Sequence, residues 1–298
     1  MINYSSCPVC SSAGIRLHVN CHDYFKTGEL FPVWKCQACG IGFTQNRPDD
    51  GRLGYYYESD NYISHGATSG GIVNRIYRIV RNCLLNRKRN IIRHESGLAA
   101  GSLLDIGSGT GHLAAKMKKA GWNVKGVEIN DRAREFAVLQ HGLETLAPSE
   151  MQHLREAEYD CITLWHVLEH LSDLDGYISQ IRRLLKPGGV CIVAVPNISS
   201  CDAKHYGEHW AAYDTPRHLW HFNSGALGFL FESRNFKLIK VKQLPVDVFY
   251  ISILSERYRK NPFAFFAGLL KGVFFTAKTL FNKKGCSSLI YVFKLKRS

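Results

Sequence analysis

Cysteines, glycines, histidines and one acidic residue stand in this chain at spacings that could do chemistry. Cys7 and Cys10 form one Cys-x-x-Cys pair, and Cys36 and Cys39 form a second. Each tight turn aims two sulfurs at one point, so the four thiolates can enclose a single tetrahedral zinc in a closed, structural site of the zinc-ribbon type. A redox dithiol needs only one such pair, beside a βαβ pattern. Further on, Gly107, Gly109 and Gly111 alternate within Leu103-Leu104-Asp105-Ile106-Gly107-Ser108-Gly109-Thr110-Gly111-His112-Leu113-Ala114. An apolar run that breaks into glycines and then resumes helical spacing reads as strand, tight turn and helix. Glycine there removes the side chain that would block a ligand from the backbone. Glu128 ends the next apolar run about 20 residues later, where a carboxylate accepts hydrogen bonds from both hydroxyls of a ribose.

Two histidine groups follow. His166, Glu169 and His170 have three- and four-residue spacing, which on a helix places them on one face. The stretch Asp214-Thr215-Pro216-Arg217-His218-Leu219-Trp220-His221-Phe222 crowds two histidines, an arginine and two aromatics together. His218 or His221 is the candidate general base, Arg217 a binder of an anionic group with Trp220 beside it, and His166 a direct contact to a ligand. His205, Tyr206, His209 and Trp210, just upstream, are candidates for the same wall.

The elements that must position these residues alternate. Strands are expected over 103–106, 122–129, 143–146, 158–165 and 190–195, with helices over 112–120, 132–141 and 177–185. The last helix is stopped by Lys186-Pro187-Gly188-Gly189. Upstream, Ile72, Ile76, Ile79, Val80, Cys83 and Leu84 share one face of a helix while Arg75, Arg78 and Arg81 take another. Between this helix and the cysteines, 47–71 is rich in Asp, Gly and Tyr, including Tyr55-Tyr56-Tyr57 and Tyr62-Ile63-Ser64-His65. It is expected to be an ordered loop that covers a substrate site or packs between domains.

Length and composition narrow the classes. The 298 residues are 45% hydrophobic and 21% charged, which is ordinary for a soluble globular protein and excludes disorder as the main theme. Ten cysteines, four of them in the two pairs, favour metal binding over a disulfide framework and point to a reducing cytosol. Met1-Ile2-Asn3-Tyr4 runs straight into the first pair with no charged-then-apolar leader, so the expected location is cytoplasmic. The net charge of +13 is concentrated in 72–96 and 246–298. Such basic segments suit nucleic acid, an anionic membrane surface or an anionic substrate.

Four blocks, LLDIGSGTGHLA, VKGVEIN, YDCITLWHVLEHL and LLKPGGVCIVAVPN, resemble in order and spacing the class I S-adenosylmethionine-dependent methyltransferases, over roughly 101–245. A nicotinamide-binding Rossmann domain shares the first two blocks, but its glycine signature is normally GxGxxG and the LLKPGG turn is not expected of it. The resemblance implies an α/β, Rossmann-like, seven-stranded sheet with helices on both faces, its last two strands a hairpin for which 236–244 and 287–296 are candidates. It also implies that Asp105 lies near the amino acid portion of the cofactor, that Gly107, Ser108, Gly109 and Gly111 allow its close approach, that Glu128 holds the ribose and that Ile129 packs on adenine. The His166-x-x-Glu169-His170 stretch resembles the ExxEH stretch of ubiquinone-biosynthesis O-methyltransferases, associated there with a divalent metal, but the first position here is histidine. The domain plan is then a zinc ribbon at 1–46, a Tyr-rich loop and basic amphipathic helix at 47–100, and a methyltransferase domain at 101–298. That domain carries a basic, apolar insertion at about 246–285.

The expected function is transfer of a methyl group from S-adenosylmethionine to a small-molecule acceptor, with oxygen favoured and a sugar, lipid-linked or quinone-like substrate. A nucleic-acid methyltransferase would use the ribbon and basic elements to grip phosphates, but the Asn/Asp-Pro-Pro-aromatic acceptor motif is absent after Leu164. The third class is a non-catalytic binding protein that retains the fold. Within the insertion, 262–281 is apolar but interrupted by Lys271 and Lys278, which disfavours a transmembrane span. An in-plane contact with the inner face of a membrane, a dimer contact and packing on the domain's own core remain open there.

Overall fold

The computed structural model describes residues 1–57 and 72–296. The part of the expected cover loop at 58–71, including Tyr62 to His65, lies outside the described residues, as do the side chains of 72–78. The N-terminal strands β1 (Ile15–His22), β2 (Leu30–Cys36) and β3 (Gly42–Thr44) are antiparallel neighbours, and the four paired cysteines flank them.

Helix α1 (Ile72–Ser96) leads into the second sheet. Its strands are β4 (Ser102–Ile106), β5 (Asn123–Val127), β6 (Glu144–Leu146), β7 (Tyr159–Trp165) and β8 (Leu185–Pro196), all parallel. Helices α2 (His112–Lys119), α3 (Asp131–His141) and α4 (Leu174–Leu184) connect them. Asn130 and Asp173 cap α3 and α4 with their side chains, and Gly142 ends α3 in the left-handed conformation. Strand β7 reads as an almost unbroken apolar run because helices cover both faces of the sheet.

The chain then adds α5 (Cys201–Tyr206), the two-residue strand β9 (Trp220–His221), α6 (Ser224–Glu232) and β10 (Phe236–Gln243). Two helices follow, α7 (Asp247–Tyr258) and α8 (Ala264–Phe281), before the last strand β11 (Ser288–Leu295). The large sheet has the order β10-β11-β8-β7-β4-β5-β6, with β11 antiparallel to both neighbours. The strand order reverses beside β4, which opens a crevice at the carboxyl ends of β4 and β7 where open α/β sheets bind ligands.

Strand β9 pairs with β3, so the ribbon sheet is completed by the region that follows β8. Cys36, Ile41 and Phe43 share one apolar core with Trp220, Phe222, Leu164, Val193 and Tyr291 of the larger unit. The insertion is a pair of antiparallel helices. A Cβ on Gly268 would lie 2.5 Å from the Ile253 backbone and one on Gly272 2.5 Å from the Phe249 ring, so the two glycines let α8 lie directly on α7.

The local expectation corrected here concerns His166, Glu169 and His170. They do not share a helix face: His166 takes a left-handed φ of 58°, which breaks the chain after β7, and only a single 3-10 turn, Leu168–His170, follows. The helix expected over 177–185 begins earlier, where Asp173 accepts from the Gly176 N–H.

Candidate active site

The glycine loop is held by its neighbours. Gly107 and Ser108 N–H both donate to Val127 O, at 2.7 and 3.0 Å, which fixes the loop across the β4–β5 edge. A Cβ on Gly107, at φ 71°, would meet Val167 Cγ2 at 2.2 Å, and one on Gly111 would meet Leu143 Cδ1 at 2.6 Å. These two glycines serve the protein's own packing. Gly109 is different: at φ 54° a Cβ there would meet nothing within 4 Å among the described residues, so its left-handed backbone and not packing calls for glycine.

Glu128 grips the same loop. Its Oε2 accepts from Gly109 N–H at 2.8 Å and its Oε1 from Asn130 N–H at 2.9 Å, and Ile129 beside it is 79% exposed. Asp105 is buried at the end of β4 and accepts from the Thr163 hydroxyl at 2.6 Å. Burial raises its carboxyl to about 6, against the opposing pull of the Thr163 hydrogen bond and Lys88. Lys88, from α1, lies with its ammonium 4.6 Å from the Trp165 ring centroid. Burial lowers its pKa, with Asp105 and Asp247 acting in the other direction.

His166 sits at the carboxyl edge of β7 between two carboxylates. Its Nε2 is 2.9 Å from Asp247 Oδ2 and its Nδ1 is 3.3 Å from Glu169 Oε1. Burial disfavours the imidazolium, but Asp247 and Glu169 outweigh it and raise the pKa to about 10. At neutral pH this ring is therefore a cation, hydrogen-bonded to Glu169 and ion-paired with Asp247, not a base.

The other carboxylate oxygen, Glu169 Oε2, is buried without a hydrogen-bond partner among the described residues. Ligand atoms of Glu169, His170 and His218 lie within 4.8 Å of one another. His218 packs edge-on against His170, ring centroids 4.5 Å apart, and its Nδ1 is 2.9 Å from Ala212 O. A carbonyl only accepts, so Nδ1 carries a proton and donates it to Ala212 O, which leaves Nε2 as the other ring nitrogen. Burial, with His218 beside it, lowers the pKa of His170 to about 4, so the His170 ring is neutral at pH 7.

The structure places the rest of the second histidine group elsewhere. His221 is buried in the β3–β9 pair with Nε2 on Thr44 Oγ1 at 3.0 Å, its protonation suppressed by burial. Arg217 does not present a free fork to an anion. It donates to Asp23 at 3.0 Å, to Asp214 at 2.6 Å and to Tyr56 O at 3.1 Å, with its guanidinium 4.5 Å from the Phe25 ring centroid. Trp220 is likewise a core residue, buried against Tyr4 and donating to Leu171 O. β9 carries Trp220 and His221 into the ribbon interface, and Arg217 reaches Asp23 of the ribbon from the turn before it.

Sequence spacing gave no signal for Asp247. It lies in the insertion, far along the chain from His166, and only the fold of α7 brings the two together. Tyr57 belongs to the Tyr-rich segment and reaches His170 Nδ1 at 2.9 Å.

Finally, Cys7 and Cys39 sulfurs are 3.7 Å apart, Cys10 and Cys36 sulfurs 3.6 Å apart, and all four lie within 4.8 Å of one another.

A parallel sheet closed by an antiparallel hairpin, with a glycine loop after its first strand and a carboxylate after the next, defines the Rossmann-like methyltransferase class. The family model described as "Methyltransferase domain" matches residues 77–241, more than half of the chain, and the chain belongs to that family. Ubiquinone biosynthesis O-methyltransferases of Pseudomonas aeruginosa (strain UCBPP-PA14) and Acinetobacter baylyi are 32% and 31% identical to it over 116 and 107 residues. Those segments cover 36% and 33% of this chain and 50% and 45% of the relatives, so the match spans about half of their length. Among solved structures, phosphoethanolamine N-methyltransferase 2 of Haemonchus contortus superposes with a TM-score of 0.52 at 16% identity, over 95% of this chain and 69% of that one. A putative sarcosine dimethylglycine methyltransferase from Galdieria sulphuraria gives 0.51 at 14% identity, over 83% and 99%. These two likenesses are of fold.

Proposed function

We propose that this protein transfers a methyl group from S-adenosylmethionine to a hydroxyl of a small, quinone-like phenolic acceptor. The observation that carries the reading is the loop itself: Gly109 open to a ligand, Glu128 fastened to it, and the buried Asp105 carboxylate behind it. The acceptor class rests on the similarity to ubiquinone biosynthesis O-methyltransferases. S-Adenosylmethionine, when bound, supplies an electrophilic methyl group.

Asp105 would face the cofactor's ammonium, Glu128 the ribose and Ile129 the adenine, while Gly109 gives room. In-line displacement asks the chain chiefly to align the acceptor oxygen and take its proton. His218 is our candidate base, because Ala212 O holds its Nδ1–H and so leaves Nε2 as the ring nitrogen that would take the acceptor's proton. His166, a fixed cation between Asp247 and Glu169, would orient the edge of the pocket and favour a developing phenolate.

A second reading of the same cluster is favoured by Glu169 Oε2, which has no hydrogen-bond partner among the described residues: with His170 and His218 it could hold a divalent cation. Turnover lost on chelation and restored by magnesium, with the zinc content of the cysteine site unchanged by elemental analysis, supports the cation; turnover unaffected by chelator supports His218 acting alone.

Calorimetry with S-adenosylhomocysteine, followed by a methyl-transfer assay on an alkylated catechol, tests the main reading. We expect binding and turnover in which His218→Ala lowers kcat while leaving S-adenosylhomocysteine affinity intact. A chain that binds no S-adenosylhomocysteine would sink the proposal.

We also propose that Cys7, Cys10, Cys36 and Cys39 hold a structural zinc. A tetrahedral centre with zinc–sulfur bonds of about 2.3 Å has sulfurs about 3.8 Å apart, close to the 3.6 and 3.7 Å separations here. Elemental analysis of protein purified without chelator should return one zinc per chain.

A further inference from the structure

Helix α8 has two apolar faces, and only one of them has a partner. Ala264, Gly268, Gly272, Phe275 and Thr279 are buried, and on a helical wheel they form a single face. The opposite face carries Phe266, 67% exposed, Leu270 and Leu280, each 73%, and Phe281, 94%, with Val273 and Phe274 between them. Phe263, at the N-terminal end, is also exposed. Such a contiguous apolar face on a soluble fold marks an interaction site.

Charge identifies the partner. No Asp or Glu occurs from Asn261 to the end of the chain. Lys271 and Lys278 lie along one border of the exposed face by helical position, and Lys283 and Lys284 are exposed just beyond its end. A second copy of this surface would bring like charges together. Anionic lipid would neutralise them while burying the phenylalanines and leucines.

By length and composition α8 could cross a membrane, but the fold forbids it. Its ends are tied through α7 and β11 to one sheet, and α7 is a 12-residue helix whose Ser252, Ser255 and Glu256 are buried in the protein. A span would carry β11 away from β8, its partner from Ser288 to Lys294.

We propose that α8 lies in the plane of an anionic bilayer surface, with its outer apolar face among the acyl chains and its lysines at the phosphates. The same helical pair presents Asp247 to His166, so the membrane-facing insertion also forms one side of the candidate pocket.

Co-sedimentation of the full chain with vesicles of phosphatidylcholine alone, and of equimolar phosphatidylcholine and phosphatidylglycerol, tests this. Binding is expected on the mixed vesicles and falls with added salt. Phe266→Asp with Leu270→Asp should abolish it. Lys283→Glu with Lys284→Glu should weaken it by roughly fivefold per lysine or more on the anionic vesicles. Phe281→Asp, at the most exposed position, gives a variant whose folding is not in question, and it should weaken binding on its own. S-Adenosylhomocysteine affinity and melting temperature should stay at wild-type values throughout, which separates this proposal from the catalytic one. Absence of binding to either vesicle overturns the inference. So does a wild-type dimer in light scattering that the Asp variants disperse, which would assign the face to a second copy.

Discussion

Gly107 and Gly109 differ by two positions in sequence and by their surroundings in the fold, and a methyl group added to each distinguishes packing from ligand binding. Gly107→Ala drives a methyl into Val167 and should lower stability and cofactor binding together. Gly109→Ala meets open space, so it should cost about 1–2 kcal/mol of backbone strain and shift the melting temperature by a few degrees only. Its S-adenosylhomocysteine affinity should nevertheless drop at least tenfold, measured by calorimetry. Equal effects of the two variants on melting would argue that Gly109 is structural. Asp105 supplies a pH test. Its folded pKa, about 6, lies above the ordinary carboxylate value, so stability associated with the protonated form is present below about 4 and is lost as pH rises through 6. The ionised form is the one that attracts an ammonium. S-Adenosylhomocysteine should therefore bind more weakly as pH falls through 6, and Asp105→Asn should bind weakly at every pH. His166 works in the other window. With its pKa raised to about 10, the clamp between Asp247 and Glu169 stabilises the fold fully below about 6.5 and is lost as pH rises through 10. His166→Gln should flatten that alkaline decline in a denaturation series.

At the level of elements, the two-residue strand β9 is a piece of the segment after β8 that pairs into the ribbon sheet. It places Trp220 and His221 against β3, while Arg217 just before it reaches Asp23 in the ribbon and Asp214 in its own turn. Phe43 on β3 is fully buried in a core shared with Leu164 and Val193 of the large sheet. The ribbon and the larger sheet should for that reason unfold as one unit. Phe43→Ala is expected to cost about 3–5 kcal/mol and to move a single denaturation transition. Cys36→Ser should move the same transition, through loss of the zinc proposed there. Two separated transitions, with the ribbon melting first, would contradict this coupling.

On the scale of the whole molecule, the insertion between β10 and β11 links surface to site. Helix α7 delivers Asp247 to His166 and α8 carries the exposed phenylalanines outward. A lipid-soluble phenolic acceptor and a protein resting on the bilayer are mutually consistent. Turnover on an alkylated catechol embedded in anionic vesicles should exceed that on the same catechol in phosphatidylcholine vesicles, and Phe281→Asp should remove the difference.

The sequence by itself determined the sheet and the glycine loop. Alternating strand and helix patterns, the spacing from Gly107 to Glu128 and the two Cys-x-x-Cys pairs are local signals, because hydrophobic periodicity and turn chemistry act over a few residues at a time. The same locality explains the misplaced roles of Arg217 and Trp220. Their residue types suit a binding pocket, but β9 turns Trp220 into the ribbon interface and Asp23 of the ribbon holds Arg217, both meetings of positions far apart in the chain. Helical spacing of His166, Glu169 and His170 suggested a shared face that the left-handed turn at His166 removes. Tertiary structure alone decided that Asp247 and Glu169 hold His166 as a cation, that His218 meets His170 and Glu169, and that one face of α8 stays uncovered. Each is a meeting of distant segments, and neither local spacing nor composition encodes which distant partner a side chain will find.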